Sequence, residues 1–169
     1  MRPTLQIWLS VVSVVWIASP AWPASEDLEV QQVIREAAEA YMAFPHTRDR
    51  HSVMKYFAPD YSFFDDMGAR SYQDIERMLA DLEKDLARGP VVITEQITNL
   101  TVHQWDRTLA WATYQDRVTV VRLGRTTEDE ALCTAIFHKT LTGWVYQHEH
   151  CSSNVLDHEP EPDELTKLT

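Results

Sequence analysis

The spacing of the apolar residues changes near Gly89-Pro90, and this change limits the folds that the chain can adopt. Before it, apolar residues recur every three or four positions, as on one face of a helix. After it, Val, Ile, Thr, Trp and Tyr dominate four long segments, which predicts strands joined by hairpin connections. The predicted strands cover 91–105, 108–123, 130–140 and 144–153. This order indicates an α+β domain with helices packed on one face of a curved antiparallel sheet.

Three helices are predicted ahead of this change. The first begins near Glu26 and ends at Pro45, which lacks the backbone N–H needed to continue a helix. A short second helix begins at Asp49. The third follows Ser71, and Asp74 three residues later completes a capping-box pattern.

The charge balance excludes several classes of partner. The 169 residues, enough for one domain, carry 15 Lys and Arg against 26 Asp and Glu, a net charge of -11. Nucleic acid and anionic membrane surfaces both attract clustered positive charge, so neither nucleic-acid binding nor stable membrane association is expected. The sequence has no phosphate-binding glycine loop, nucleophile elbow or CxxC motif, and no cofactor is expected.

The N-terminal segment is typical of a signal peptide. Its uncharged apolar run, 5–18, is shorter than the roughly 20 residues that span a bilayer. Small residues favour cleavage after Ala21, with a less favourable site after Ala24, and an uncleaved anchor is the alternative. We therefore expect a periplasmic or secreted protein with a folded domain over 25–155. The acidic, proline-containing segment 156–169 is expected to be a mobile tail.

Two segments resemble one known superfamily. The ending 143–152 (GWVYQHEHCS) is similar to the final strand of NTF2-like proteins, and 57–65 (FAPDYSFFD) resembles their early strand. This superfamily includes the SnoaL-like polyketide cyclases and the ketosteroid isomerases. The resemblance implies a cone-shaped fold, three N-terminal helices on a curved sheet, and an apolar pocket for a small hydrophobic or aromatic molecule. It also suggests a homodimer through the open sheet face, but the fold alone does not identify an activity.

The two cysteines lie on the last predicted hairpin. If the loop 141–143 has three residues, the register places Cys133 opposite Cys151, close enough for a cross-strand disulfide. A two-residue loop would pair Cys133 with Ser152 and disfavour the bridge. Export favours the disulfide, because it persists in an oxidising compartment. The alternative is two buried free thiols.

The same register predicts a cluster of histidines on the other face of this hairpin. The residues expected there are Ile136, His138, Tyr146, His148 and His150. Imidazole nitrogens bind zinc or copper, but no loop or helix completes a tetrahedral set, so no metal site is assigned. The alternative, which the resemblance suggests, is that His148 and His150 are hydrogen-bonded residues of the pocket wall.

Asp65 is the candidate general base. It follows the aromatic strand 61–64 and precedes a turn, so its carboxylate could project into an apolar cavity, where desolvation would raise its pKa. The sequence 65–68 resembles the D-P-x-G turn of ketosteroid isomerases, with Asp66 in place of the proline. The alternative is that both aspartates cap an exposed turn.

Cofactor-free proton transfer is the function that these residues favour. Asp65 would be the base, and His148 or His150 would stabilise the oxyanion or shuttle the proton, with Tyr114 as another possible donor. The residues predicted to line the pocket are Tyr41, Phe64, Trp105, Trp111, Tyr114, His138 and Tyr146, although aromatic residues at such positions are often simply core. The rival hypotheses are a non-catalytic ligand-binding or dimeric interaction module, and metal handling by the histidine cluster.

Overall fold

The computed structural model describes residues 24–153 of the chain and side chains from 27 onward. The elements are α1 (Ala24–Thr47), α2 (Arg50–Met54), β1 (Phe57–Asp65), β2 (Gly68–Ser71), α3 (Tyr72–Leu86), β3 (Val91–Gln104), β4 (Leu109–Arg122), β5 (Arg125–Thr140) and β6 (Gly143–Ser153). No helix in the described part is long and apolar enough to cross a membrane. The predicted signal peptide, 1–21, and the whole predicted acidic tail, 156–169, lie outside the described residues.

The six strands form one sheet in the order β2-β1-β6-β5-β4-β3. All neighbours are antiparallel except β1 and β6, which run parallel. Parallel pairing is possible there because no tight turn joins these two strands. The α+β class is confirmed, but two details were wrong: the sheet is not wholly antiparallel, and only α1 and α2 precede it, because α3 follows β1 and β2.

The helices cover one face of the sheet, here called the inner face. Val30 and Ile34 of α1 are almost fully buried against it. A second cluster joins Phe44 of α1 and Leu79 of α3 to the start of β3. The helix α1 does not end at Pro45 as predicted but continues to Thr47, since a proline in the last turn removes few helical hydrogen bonds.

The capping box of α3 is present. The carboxylate of Asp74 accepts hydrogen bonds from the Ser71 backbone N–H at 2.8 Å and from the Ser71 hydroxyl at 2.7 Å. Asp49 likewise caps α2, accepting from the backbone N–H of His51 at 3.0 Å. The predicted starts of α2 and α3 are therefore confirmed.

The register of the last hairpin differs from the prediction at its turn. Thr140 pairs with Gly143, so the turn has two residues, Leu141-Thr142, and Gly143 takes a φ of 130° that favours glycine. An irregularity in the pairing at Gln147 then shifts the register of β6 by one residue. Beyond this bulge Cys133 pairs with Cys151, as the assumed three-residue loop predicted.

The predicted pairing of the two cysteines is thus confirmed, although the loop length from which it was inferred was wrong. Their sulfurs lie 2.06 Å apart, as in a disulfide bond, and their Cα atoms 4.1 Å apart. Both side chains are buried on the inner face. The bulge has a second consequence: it turns Glu149 and Cys151 to the inner face and His148 and His150 to the outer face.

Replacement of Leu79 by Ala tests the importance of the second cluster. Leu79 is fully buried, whereas Leu141 is fully exposed at the hairpin turn. We expect Leu79→Ala to lower the free energy of unfolding by about 2–5 kcal/mol, through lost burial and the cavity left behind. The same change at Leu141 should shift it by less than about 0.5 kcal/mol. Urea denaturation measures both, and equal losses would contradict the observed packing.

Candidate functional site

Three carboxyl groups lie on the inner face, one from each of three strands. Glu95 of β3 pairs with Val118, and Asp116 of β4 pairs with Ile97 two positions away, so the two carboxyl groups are diagonal neighbours. Glu149 of β6 joins them through the bulge at Gln147. Carboxyl groups on a face that otherwise buries apolar side chains are costly unless they are hydrogen-bonded or neutral.

Glu149 is held by two phenols. The hydroxyl of Tyr61 donates to its Oε2 at 2.8 Å, and the hydroxyl of Tyr114 donates to its Oε1. Burial raises the pKa of Glu149, and the two hydroxyl donors oppose this by stabilising the carboxylate. The pKa of each of these tyrosines is raised by burial and by the nearby Glu149. The tyrosines therefore stay protonated and available as donors.

Among the described residues, Glu95 and Asp116 have no comparable pair of donors. Burial raises the pKa of Glu95 to about 8, with further contributions from Asp116 and Glu149. Burial also raises the pKa of Asp116 to about 7, helped by the charges of Glu149 and Asp129. The Oδ1 atom of Asp116 is buried without a hydrogen-bond partner among the described residues. Near neutral pH, Glu95 is therefore mostly protonated while Asp116 exchanges its proton readily.

Asp116 lines a small cavity, whereas none of the three carboxyl groups lines a larger, separate groove. An open groove of about 670 Å³ lies between α3 and the adjacent ends of β4 and β5, with Met78, Leu82, Val120 and Tyr41 among its lining residues. A small cavity of about 100 Å³ is lined by Phe63, Asp65, Asp116, Val118, Asp129, Ala131, Cys151 and Ser153. Asp116 lines the small cavity, so a molecule placed there would meet its carboxyl group.

Tyr41 connects the groove to the carboxyl groups. Its side chain lines the groove, and the charges of Glu95, Arg122 and Asp116 all act on its hydroxyl. Burial, followed by the charge of Glu95, raises the pKa of Tyr41 to about 12. It therefore remains a hydrogen-bond donor at neutral pH.

Asp65 caps its turn, which is one of the two alternatives that the sequence left open. Its carboxylate accepts from the backbone N–H of Met67 at 2.9 Å, as a turn-capping aspartate does, and forms an ion pair with Arg70 at 2.7 Å. It also lines the small cavity together with Asp116. Its neighbour Asp66 accepts from the backbone N–H of Ser153 at 2.9 Å and joins the turn to the end of β6.

The structure separates Asp65 from the predicted histidines. His148 and His150 lie on the outer face, and His148 Nδ1 is 2.8 Å from the hydroxyl of Ser62. Ile136, which pairs with His148, lies on this face, as does His138 by strand alternation. The predicted place of Tyr146 on that face was wrong: the bulge puts it on the inner face, where it is buried.

Of the other predicted lining residues, Tyr114 and Tyr146 are buried on the inner face. Phe64, Trp105 and Trp111 are exposed by 46%, 73% and 37% and do not line either cavity. Phe64 and Trp111 fall on the outer face by strand alternation, and Trp105 lies beyond the end of β3. The Trp111 ring instead stacks on that of His103, with centroids 4.2 Å apart.

The three inner carboxyl groups were missed from the sequence. Glu95 lies between Ile93 and Ile97 at alternate positions, and Asp116 lies likewise between Tyr114 and Val118. An acidic residue inside an apolar period-two series is a signal that could have identified both. Glu149 gives no such signal, because its orientation depends on the bulge.

Comparison with known proteins identifies the family. A family profile described as a SnoaL-like domain matches residues 34–156. The chain belongs to this family. No curated protein matches it significantly. The predicted NTF2-like, SnoaL-like resemblance is therefore confirmed.

Solved structures support the same fold at low identity. One from Novosphingobium aromaticivorans, provisionally named an aromatic ring hydroxylase, has a TM-score of 0.67 at 15% identity and covers 80% of this chain and 93% of its own. One from Exiguobacterium sibiricum, provisionally named a Ca/calmodulin-dependent kinase II association domain, has 0.62 at 14%, covering 83% and 99%. An NTF2-like protein of unknown function from Pseudomonas putida has 0.58 at 20%, covering 81% and 92%. At these identities the likeness concerns the SnoaL-like fold alone.

The raised pKa values of the SnoaL-like site predict how stability depends on pH. A carboxyl group with a folded pKa of about 8 (Glu95) or about 7 (Asp116) binds its proton more tightly than in the unfolded chain. The stability this contributes is fully present below about pH 4 and is lost as the pH rises to about 8. Glu95→Gln, which stays neutral, should flatten this loss in urea denaturation measured across that range.

Comparison with the wild type isolates Glu95, because the two proteins differ at this residue alone and share all seven histidines. Glu76→Gln, at an exposed position of α3, is the matched control and should leave the slope unchanged. A slope in Glu95→Gln equal to that of the wild type would contradict the assigned pKa.

Proposed function

We propose that this SnoaL-like protein binds a small hydrophobic or aromatic molecule and transfers a proton on it without a cofactor. The observation that carries the proposal is the buried, unpartnered Oδ1 of Asp116 beside a cavity. A buried oxygen with no donor costs free energy unless something supplies a hydrogen bond. A substrate O–H placed in the cavity would supply it, and an acidic substrate C–H beside this oxygen would be in position to lose its proton to it.

Asp116 has the properties of a general base. A pKa of about 7 allows an appreciable ionised fraction at neutral pH and a useful affinity for the abstracted proton. Glu95, whose pKa is about 8, is mostly protonated under the same conditions and can act as the acid. Two neighbouring carboxyl groups in different protonation states are the arrangement that acid–base catalysis requires.

Tyr41 and Glu149 would support this pair in different ways. The protonated phenol of Tyr41 lies among Glu95, Asp116 and Arg122, where it can donate to a substrate oxygen that becomes negative. Glu149 accepts from two tyrosine hydroxyls and so is less available as a base. Its negative charge raises the pKa of both partners.

The proposed ligand class rests on the side chains around the site. Phe57, Tyr61, Phe63 and Tyr146 contribute rings to the core beside the carboxyl groups. The groove combines Tyr41 and aliphatic residues with the charged side chains of Arg70, Asp74, Arg77, Asp81 and Arg122. Together they favour a molecule with an apolar or aromatic body and a polar or charged group. The provisional name of the Novosphingobium structure agrees with an aromatic ligand.

We also propose export, with cleavage after Ala21. It rests on the apolar run 5–18 and the small residues that follow it. The Cys133–Cys151 pair agrees with an oxidising compartment.

The test begins with native mass spectrometry of the purified protein to identify an organic adduct, whose turnover is then measured. Asp116→Asn should lower kcat by about 10²–10⁴-fold, because it removes the base and keeps the shape. His148→Ala, on the outer face, should retain activity. Full activity in Asp116→Asn would overturn the assignment, and loss confined to Asp65→Asn would move the base to the turn.

A second candidate function is assembly through the outer face. Paired neighbours place His103, Trp111, Ile136 and His148 in one row across four strands. Trp111 and Ile136 are each more than a third exposed, with Leu132 and Phe64 nearby at 52% and 46%. We infer that these exposed apolar side chains form an interaction surface, which a second copy of the chain would cover.

Trp111→Glu tests this interface. A charge in the centre of a buried apolar interface is strongly unfavourable, so a dimeric wild type should become monomeric. Sedimentation velocity measures the mass, with Leu141→Glu at the exposed turn as the control. A monomeric wild type, or a dimeric Trp111→Glu variant, would exclude this face as the dimer interface.

A further inference from the structure

The carboxylate of Glu149 lies beside the Cys133–Cys151 disulfide, and the three residues together offer a second role. The sulfurs of Cys133 and Cys151 and a carboxylate oxygen of Glu149 all lie within 4.8 Å of one another. Cys133 is on β5, and the other two are on β6 beyond the bulge at Gln147, all on the inner face. While the sulfurs are bonded to each other, they are not available as thiolate ligands.

We propose that reduction converts Cys133, Cys151 and Glu149 into a binding site for one Zn²⁺ ion. A phosphine reductant cleaves the S–S bond and is oxidised to the phosphine oxide by taking an oxygen from water, and the two sulfurs become thiols. Each thiol then gives its proton to the buffer as it binds the metal. The product has two thiolates and one carboxylate within reach of a single ion.

The sheet keeps the ligands together after the bond is broken. Thr134 pairs with His150 on one side of the cysteines, and Leu132 pairs with Ser152 on the other. These ladder contacts do not depend on the S–S bond. The two thiols therefore remain on directly opposite positions of adjacent strands, and small side-chain rotations separate them to the spacing that a metal ion needs.

The chemistry of the three donors favours zinc. Thiolates bind Zn²⁺ at about 2.3 Å and carboxylates at about 2.0–2.2 Å, and the ion prefers four ligands. Two thiolates select against Mg²⁺ and Ca²⁺, which prefer oxygen ligands. The small cavity, which Cys151 lines, leaves the fourth position open to water.

The surrounding residues favour a bound cation in two ways. Tyr61 and Tyr114 each donate to one oxygen of Glu149, which fixes the carboxylate and leaves further lone pairs for an ion. The small cavity that leads to Cys151 also carries Asp65, Asp116 and Asp129 on its wall. Their negative field attracts a divalent cation and offsets its desolvation.

The experiment is a zinc titration of the purified protein, reduced with a phosphine that is then removed without oxygen. Elemental analysis should find one zinc per chain in the reduced protein and none at this site in the oxidised protein. Competition with a chromogenic chelator measures the affinity. Glu149→Gln should weaken binding by about 10-fold or more, and Cys151→Ser should abolish it. Cobalt substituted for zinc should give a sulfur-to-cobalt charge-transfer band.

The control distinguishes this site from the outer face. The double variant His148→Ala/His150→Ala should bind zinc as the wild type does, because these side chains lie on the opposite face. Equal zinc binding before and after reduction would overturn the proposal, as would loss only in the histidine variant. Circular dichroism follows the fold of each reduced sample. A reduced chain that unfolds and is not restored by zinc would also overturn it.

Discussion

The burial of Glu149 between two tyrosine hydroxyls is the interaction on which the inner face depends. A carboxylate inside an aromatic core is unfavourable unless donors replace the lost water, and Tyr61 and Tyr114 supply them from β1 and β4. The same negative charge then acts on Glu95 and Asp116, which have no such donors among the described residues. Burial is the largest cause of the raised pKa values of Glu95 and Asp116, and the charge of Glu149 adds to it, so both values lie close to neutral.

The bulge at Gln147 places that carboxylate. Without the one-residue shift, Glu149 would alternate with Tyr146 and point to the outer face, and His148 would point inward. The two-residue turn at Leu141-Thr142 shifts the pairing of β5 with β6 by one residue relative to a three-residue loop, and the bulge shifts it back. Their combination keeps Cys133 opposite Cys151 while it changes which side chains reach the site.

The sequence predicted the parts of the fold that local chemistry determines. The capping box at Ser71, the start of the second helix at Asp49 and the strand character after Gly89-Pro90 all depend on near neighbours in the chain. The parallel pairing of β1 with β6 depends on contacts between distant segments, so the spacing of apolar residues does not predict it. The placement of Tyr146 on the histidine face was wrong because the bulge at Gln147, which changes the faces along β6, leaves no pattern in the sequence.

The two faces of the sheet show why those assignments matter for function. On the inner face, desolvation raises the pKa values of the carboxyl groups and makes an unmade hydrogen bond costly. One oxygen of Asp116 has no partner among the described residues and lies beside a cavity. On the outer face, His103, Trp111 and Ile136 meet solvent. Burial of the exposed apolar area there would be the main source of the free energy of association. Proton transfer requires the first environment and association with another protein requires the second. A single curved sheet with helices on one side provides both, so neither proposed role excludes the other.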